Sequence, residues 1–225
     1  MKFEVAILSY DPIQELSETD ACRQRFRISC LYSILIWEYT PDSIEAGGIA
    51  GTIDSCVEGC LVQADIAVAH TAAQSLAVGG VVPKLMEGCW VKNCYVGGKI
   101  SATVQGNSSA TAGGVVGNAN AGAKIENCIS IAEVFASSKY SRSGVLVGIH
   151  PWDVFTMKNC VVPQNNYNRM YANQHQPNVD YPDTLVIENC YGVDTATAEQ
   201  FNSQSFYTET LGWNAEDWSF EKQSN

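Results

Sequence analysis

The chain has 225 residues, of which 46% are hydrophobic and 16% charged, with a formal net charge of −11. That length and apolar content supply one sizeable core and exclude wholesale disorder. The acidic balance argues against a nucleic-acid or anionic-membrane partner, and no apolar run is long enough to span a bilayer as a helix.

Residues 1–43 carry no repeat and read as an N-terminal cap or non-repeat segment. "LSETDACRQRF" reads as a helix with Ser17 as N-cap. "ISCLYSILIW", residues 28–37, follows Arg23, Arg25 and Arg27 and so imitates an export signal, but it begins too far into the chain. A buried strand pair is the other reading of that run, and a misplaced gene start would also account for it.

Residues 44–192 repeat. Paired glycine, or Ser-Gly, followed by small apolar residues occurs at Gly47-Gly48, Gly79-Gly80, Gly113-Gly114 and Ser143-Gly144, with steps of 32, 34 and 30. Cys60, Cys94, Cys128, Cys160 and Cys190 follow at steps of 34, 34, 32 and 30. Two independent anchors thus give one period. Each unit has a Gly-apolar strand, a polar turn, then an apolar-charged-Asn-Cys-apolar strand; the best copies add a third strand-like run, as in "GGKISATV" and "IAEVFAS". Helical spacing is not sustained, which excludes the helical repeats of similar period. Three short strands per period fit one coil of a right-handed parallel β-helix, here all-β with about five coils and capped ends.

In such a coil stack, equivalent positions become neighbours about 4.8 Å apart. The cysteines then form an inward column in a narrow core. The preceding asparagines turn the corner in the left-handed region, and their amides can bond from coil to coil. In the first unit Gly59 replaces asparagine and suits the same corner. The residues before Asn alternate as Lys92, Glu126, Lys158 and Glu188, a pattern of cross-strand pairing. The glycine pairs mark another corner, where side chains do not fit.

Nine cysteines are present, an odd number, with no C-x2-C pair and only three histidines, so neither a zinc site nor any other cofactor is expected. Cys56/Cys60 and Cys89/Cys94 are close enough in sequence to close small disulfides, whereas the repeat points to buried thiols acting as small apolar groups. No catalytic residue is assigned. A cysteine nucleophile paired with His70, His150 or His175 sits badly with a ladder of identical cysteines, and no dense acidic cluster or nucleotide motif occurs.

The longest interruption is residues 162–183, rich in Asn, Gln and Tyr. Loops on a rigid solenoid commonly carry binding groups. Tyr167, Tyr171 and Tyr181 with Asn168 and Asn173 offer flat apolar faces beside amides, a chemistry suited to sugar rings. His150, Trp152 and Asp153, in the turn "IHPWD", could join that surface. The alternative is a solvated loop whose tyrosines lie on the coil. Residues 193–225 read as a C-terminal capping segment: Thr195 or Thr197 as N-cap, Glu199 in the first turn, and Phe201, Phe206, Tyr207, Leu211, Trp213 and Trp218 as a coil plug.

"AGGVVGNANAGAKIENCISIAEV" and "ENCYGV" resemble the GLUG repeat of bacterial surface and secreted proteins. The ending "AEQFNSQSFYTETLGWNAEDWSF" resembles the segment that follows such repeats in gut Bacteroidetes proteins. The resemblance covers residues 44–220. It implies an extracellular or cell-surface, adhesin-like module without catalytic activity in the repeats themselves; the partner expected of such a module here is a glycan or a surface protein. A carbohydrate-active enzyme on a β-helix and a ligand-free spacer are the alternatives.

Overall fold

The computed structural model describes residues 24–25, 35–39, 43–51, 56–71, 75–149, 154–166, 169–172 and 185–218, the first two stretches as backbone only. The chain winds as a parallel β-solenoid of about four turns. The five Asn-Cys or Gly-Cys corners bound four intervals, which is why counting corners suggests five coils. Each turn is cut into more pieces than the three strands expected. The second turn, for example, contains Ser75–Gly79, Val82–Leu85, Trp90–Lys92, Tyr95–Gly97 and Lys99–Val104. Successive turns stack these pieces into five sheets, numbered here 1 to 5 in that order.

Pairing is parallel throughout, except that Leu35–Tyr39 lies antiparallel to Ser43–Gly47 at one edge of sheet 1. The run 28–37 therefore does contribute a strand. Gln24–Arg25 is also a strand, pairing with Val57–Glu58, so the helix expected over "LSETDACRQRF" fails at those two residues; the rest of that stretch lies outside the described residues. The pairing extends sheet 3 by one edge strand. Arg25, Glu58, Lys92, Glu126, Lys158 and Glu188 stand in one row with alternating sign. Lys158 Nζ and Glu188 Oε2 are 3.1 Å apart and about half exposed, so each such contact contributes little, on the order of 0–1 kcal/mol.

The corner between sheets 3 and 4 carries the repeat. Asn93, Asn127, Asn159 and Asn189 hold φ of 53°, 51°, 52° and 49°, and Gly59 holds 72°. Left-handed backbone costs most side chains about 1–2 kcal/mol, and asparagine tolerates it best. Each amide also serves its neighbour: Asn127 Nδ2 donates to Asn93 Oδ1 at 3.0 Å, Asn159 to Asn127 at 3.1 Å, and Asn189 to Asn159 at 3.3 Å. One residue further on, the chain turns inward, and Cys94, Cys128 and Cys160 are completely buried. Their thiols donate to the carbonyls of Lys92, Glu126 and Lys158 across the same corner.

The glycine corner between sheets 1 and 2 answers to close approach. A Cβ on Gly80 would collide with the Gly114 carbonyl, and one on Gly114 with the Val145 carbonyl. The fourth copy sits one residue differently from its expected alignment. Gly144 pairs with Gly113 and Ser143 with Ala112, leaving Val145 where earlier copies have the second glycine. The link from sheet 5 to sheet 1 is shorter in that turn: two residues separate Glu133–Ser137 from Tyr140–Gly144, against four between Lys99–Val104 and Ser109–Gly113.

The last turn takes a shortcut. Leu146 N–H donates to the Met170 carbonyl, so Met170 continues the buried column above Leu146. The step from Val162 to Met170 is only eight residues, against sixteen from the equivalent Ser130 to Leu146. Among the described residues sheets 5 and 1 therefore end at Glu133–Ser137 and Tyr140–Gly144, while sheets 3 and 4 go on to Leu185–Glu188 and Tyr191–Gly192. Residues 162–183, expected as one long excursion, rejoin the stack at Arg169–Ala172.

The C-terminal segment starts as expected. Thr197 caps the short helix Ala198–Phe201 in a capping box with Gln200. Its aromatics do not serve as an end plug, however. Phe206, Tyr207, Leu211 and Trp213 pack on Ile129, Val161 and Tyr191, the outward residues of sheet 4. That face is apolar in consecutive turns and needs a lateral cover. Trp213 Nε1 donates to the Asn159 carbonyl at 3.1 Å, and Asp217 Oδ2 accepts from Asn93 Nδ2 at 3.1 Å. The segment thus runs along the solenoid axis.

Two outcomes follow for stability. Replacing Asn127 by alanine forfeits the left-handed preference and two ladder bonds, a loss of about 2–4 kcal/mol in urea unfolding. Asn127→Gly, which restores the backbone freedom, loses clearly less; equal losses would show that φ is not what asparagine supplies. Burial, with Tyr95 adding to it, raises the Tyr207 hydroxyl to about 12. A raised folded-state value means stability is full below pH 10 and declines between about pH 10 and 12 as the unfolded phenol ionises first. Tyr207→Phe flattens that decline in thermal melts; a decline of unchanged depth assigns it elsewhere.

Candidate functional site

Of the residues expected to form a ligand surface, Tyr167, Asn168, Asn173, Tyr181, His150, Trp152 and Asp153 lie outside the described residues. Tyr171 is described, and its place corrects the loop reading. It bridges to Val147 in the strand ladder and is half-buried against the main core. It is part of the stack, carried there by the shortcut that buries Met170.

The surface with the best-defined chemistry lies instead on the outer face of sheet 5. Strand alternation sends Ile66, Ile100 and Val134 inward and Ala67, Ser101 and Phe135 outward in one row. Asp65, Lys99 and Glu133 form the row beside it. Together they line an open groove of about 320 Å³. Phe135 is 59% exposed. A phenylalanine at an outward position of an edge strand has no burial to explain it, so the ring is a free apolar platform.

The charged row is internally tied. Lys99 Nζ lies 3.2 Å from Glu133 Oε2, and the Lys99 backbone N–H donates to Asp65 Oδ1 at 2.9 Å. Both side chains of the ion pair are well exposed, so the pair opens readily toward a ligand. The groove therefore combines one aromatic face with two carboxylate acceptors and one ammonium donor. Hydrolysis of a glycoside needs a water or a sugar between two carboxyl groups; here Lys99 occupies the row between Asp65 and Glu133.

The thiol column is the other reactive chemistry available. None of the seven described cysteines is in a disulfide, including both members of the Cys56/Cys60 and Cys89/Cys94 pairs. Burial, reinforced by contact with Cys160 and Cys94, pushes the Cys128 thiol well up. Contact with Cys160, then burial, does the same for Cys190. Nucleophilic attack uses the thiolate, so Cys128 and Cys190 act as core filler. Among the described residues no group of three or more His, Cys, Asp or Glu is placed to hold a metal ion, and no helix is long and apolar enough to cross a membrane.

Phe135 was hidden in the sequence by its neighbours. In "IAEVFAS" it sits in an apolar run, and an aromatic residue there reads as core. Strict alternation with inward-facing Val134 was the available signal, and it needed the strand boundary to be used. Comparison of the chain with protein-family models, with curated proteins and with solved structures finds no match.

The burial argument carries a direct check. Iodoacetamide applied to the native protein leaves Cys94, Cys128 and Cys160 unmodified, and full alkylation requires denaturant. Rapid native labelling at Cys128, read by peptide mass spectrometry, would contradict the assignment of that column to the core.

Proposed function

We propose that this protein is a non-catalytic extracellular or cell-surface module, adhesin-like, that binds glycan on the outer face of sheet 5. The observation that carries the reading is the exposed Phe135 ring beside the Asp65–Lys99–Glu133 row. The ring offers a stacking face to the apolar side of a sugar. The carboxylates and the ammonium meet hydroxyls, with no cofactor required. A rigid coil stack holds these groups at fixed spacing, which lowers the ordering cost of binding. The resemblance of the repeats to GLUG units supports the surface location and the absence of chemistry.

Glycan-array binding by the intact protein tests the proposal. Phe135→Ala is expected to weaken capture about tenfold, or ~1.4 kcal/mol, without altering the thermal melt, because the ring is largely outside the core. Deleting 164–181 would be a poor probe, since it removes the buried Met170. Absence of binding on every array favours a spacer without ligand. Release of reducing or unsaturated sugars from polysaccharide would establish an enzyme instead.

A further inference from the structure

Among the described residues sheet 5 stops one turn early, and what it leaves behind is a strand edge with half-buried core residues beside it. Glu133 N–H donates backward to the Gly98 carbonyl, and Tyr140 N–H donates backward to the Ser108 carbonyl. Backbone groups alternate sides along a strand. The N–H and C=O groups of Val134, Ala136, Ser141 and Ser143 therefore point away from the preceding turn. Among the described residues none of them has a backbone partner on that side, and the described residues that follow, 163–166 and 169–172, join neither sheet.

The side chains agree. Ile100 and Ala102 are wholly buried, yet Val134 and Ala136, which stand over them in register, are only half-buried. They face inward with no described strand above them. The charged row also stops short. Asp65, Lys99 and Glu133 alternate in sign, and the next position of that alternation calls for a cation. The net charge of −11 favours a basic partner in the same sense.

We propose that the open edge formed by Glu133–Ser137 and Tyr140–Gly144 receives an extended segment of a basic partner protein, which adds in parallel as the missing strand of sheet 5. A Lys or Arg of that segment stands opposite Glu133, and small or apolar residues stand opposite Val134 and Ala136. Main-chain bonds supply affinity, and the alternating side chains supply selection. The edge of the strand does this, not its outer face, so the interaction does not depend on the groove taking a sugar.

The chain supplies its own probe. The segment Lys99–Val104, KISATV, has the required pattern, with Lys placed for Glu133, Ile for Val134 and Ala for Ala136. A fluorescein-labelled KISATV peptide is titrated with the full protein and followed by anisotropy. Saturable binding is expected. It falls at least about tenfold when Lys is replaced by Glu in the peptide, and it weakens with salt. Ala136→Pro removes one outward N–H from an edge position, where proline is tolerated, and is expected to abolish binding while circular dichroism stays native. Should that variant not fold, the peptide carries the test. N-methylation at Ser, whose N–H faces the protein in this register, blocks binding; N-methylation at Ile, whose N–H faces away, does not. No saturable binding, equal binding of the two methylated peptides, or indifference to Ala136→Pro in a folded variant overturns the proposal. Self-association of the unliganded protein that is lost in Ala136→Pro also overturns it, by making a second copy the occupant. Loss of glycan capture in Phe135→Ala with peptide binding retained separates this edge from the groove.

Discussion

A chain of side-chain amides bonded across the turns holds the corner on which every sheet depends. From Asn189 to Asn93 each amide nitrogen donates to the oxygen of the turn before it, so the dipoles point one way. Aligned hydrogen bonds polarise one another. The donor end of that chain, Asn93 Nδ2, meets Glu58 Oε1 at 3.0 Å and Asp217 Oδ2 at 3.1 Å. Two anions thus complete a row that would otherwise finish on an unsatisfied N–H. Bonds of this charged kind are worth about 1.5–3 kcal/mol each. Asparagine is demanded twice at this position, once by backbone conformation and once by the row. The thiol next to it needs only to be small and apolar.

This corner was legible in the sequence because its constraint is local. A left-handed φ selects Asn or Gly regardless of what lies elsewhere, and the same constraint recurs in every turn. The charge row was legible for a similar reason: Lys92, Glu126, Lys158 and Glu188 sit at one offset from the corner. The glycine corner was less so. There the requirement is closeness to the neighbouring turn, so it lapses where the path above changes, and Val145 replaces a glycine. The path through Arg169–Ala172 could not be seen at all. Cys160 and Cys190 keep a 30-residue step, and the step is blind to how those residues are divided between shortcut and return.

The surface chemistry was hidden for the complementary reason. Exposure of Phe135 and half-burial of Val134 go with their place on the last described strand of sheet 5, and composition does not record where a sheet ends. Tyrosines in an Asn-rich stretch attract notice, yet Tyr171 proves to be scaffold. The C-terminal aromatics show the same ambiguity. Phe206, Tyr207 and Trp213 are apolar enough to close an end, but the outward column of Ile129, Val161 and Tyr191 gives them a broader surface along the side.

That lateral placement changes how the molecule comes apart. A bare stack of coils touches only its neighbours, so it can fray one layer at a time from a free end. Here a single strap contacts Tyr191, crosses Asn159 and is pinned at Asn93, three tiers of the stack away. Peeling the final tier exposes aromatic surface that the inner tiers also rely on. The strap therefore couples layers that are not adjacent, and a structure built from a one-dimensional repeat melts as a single block.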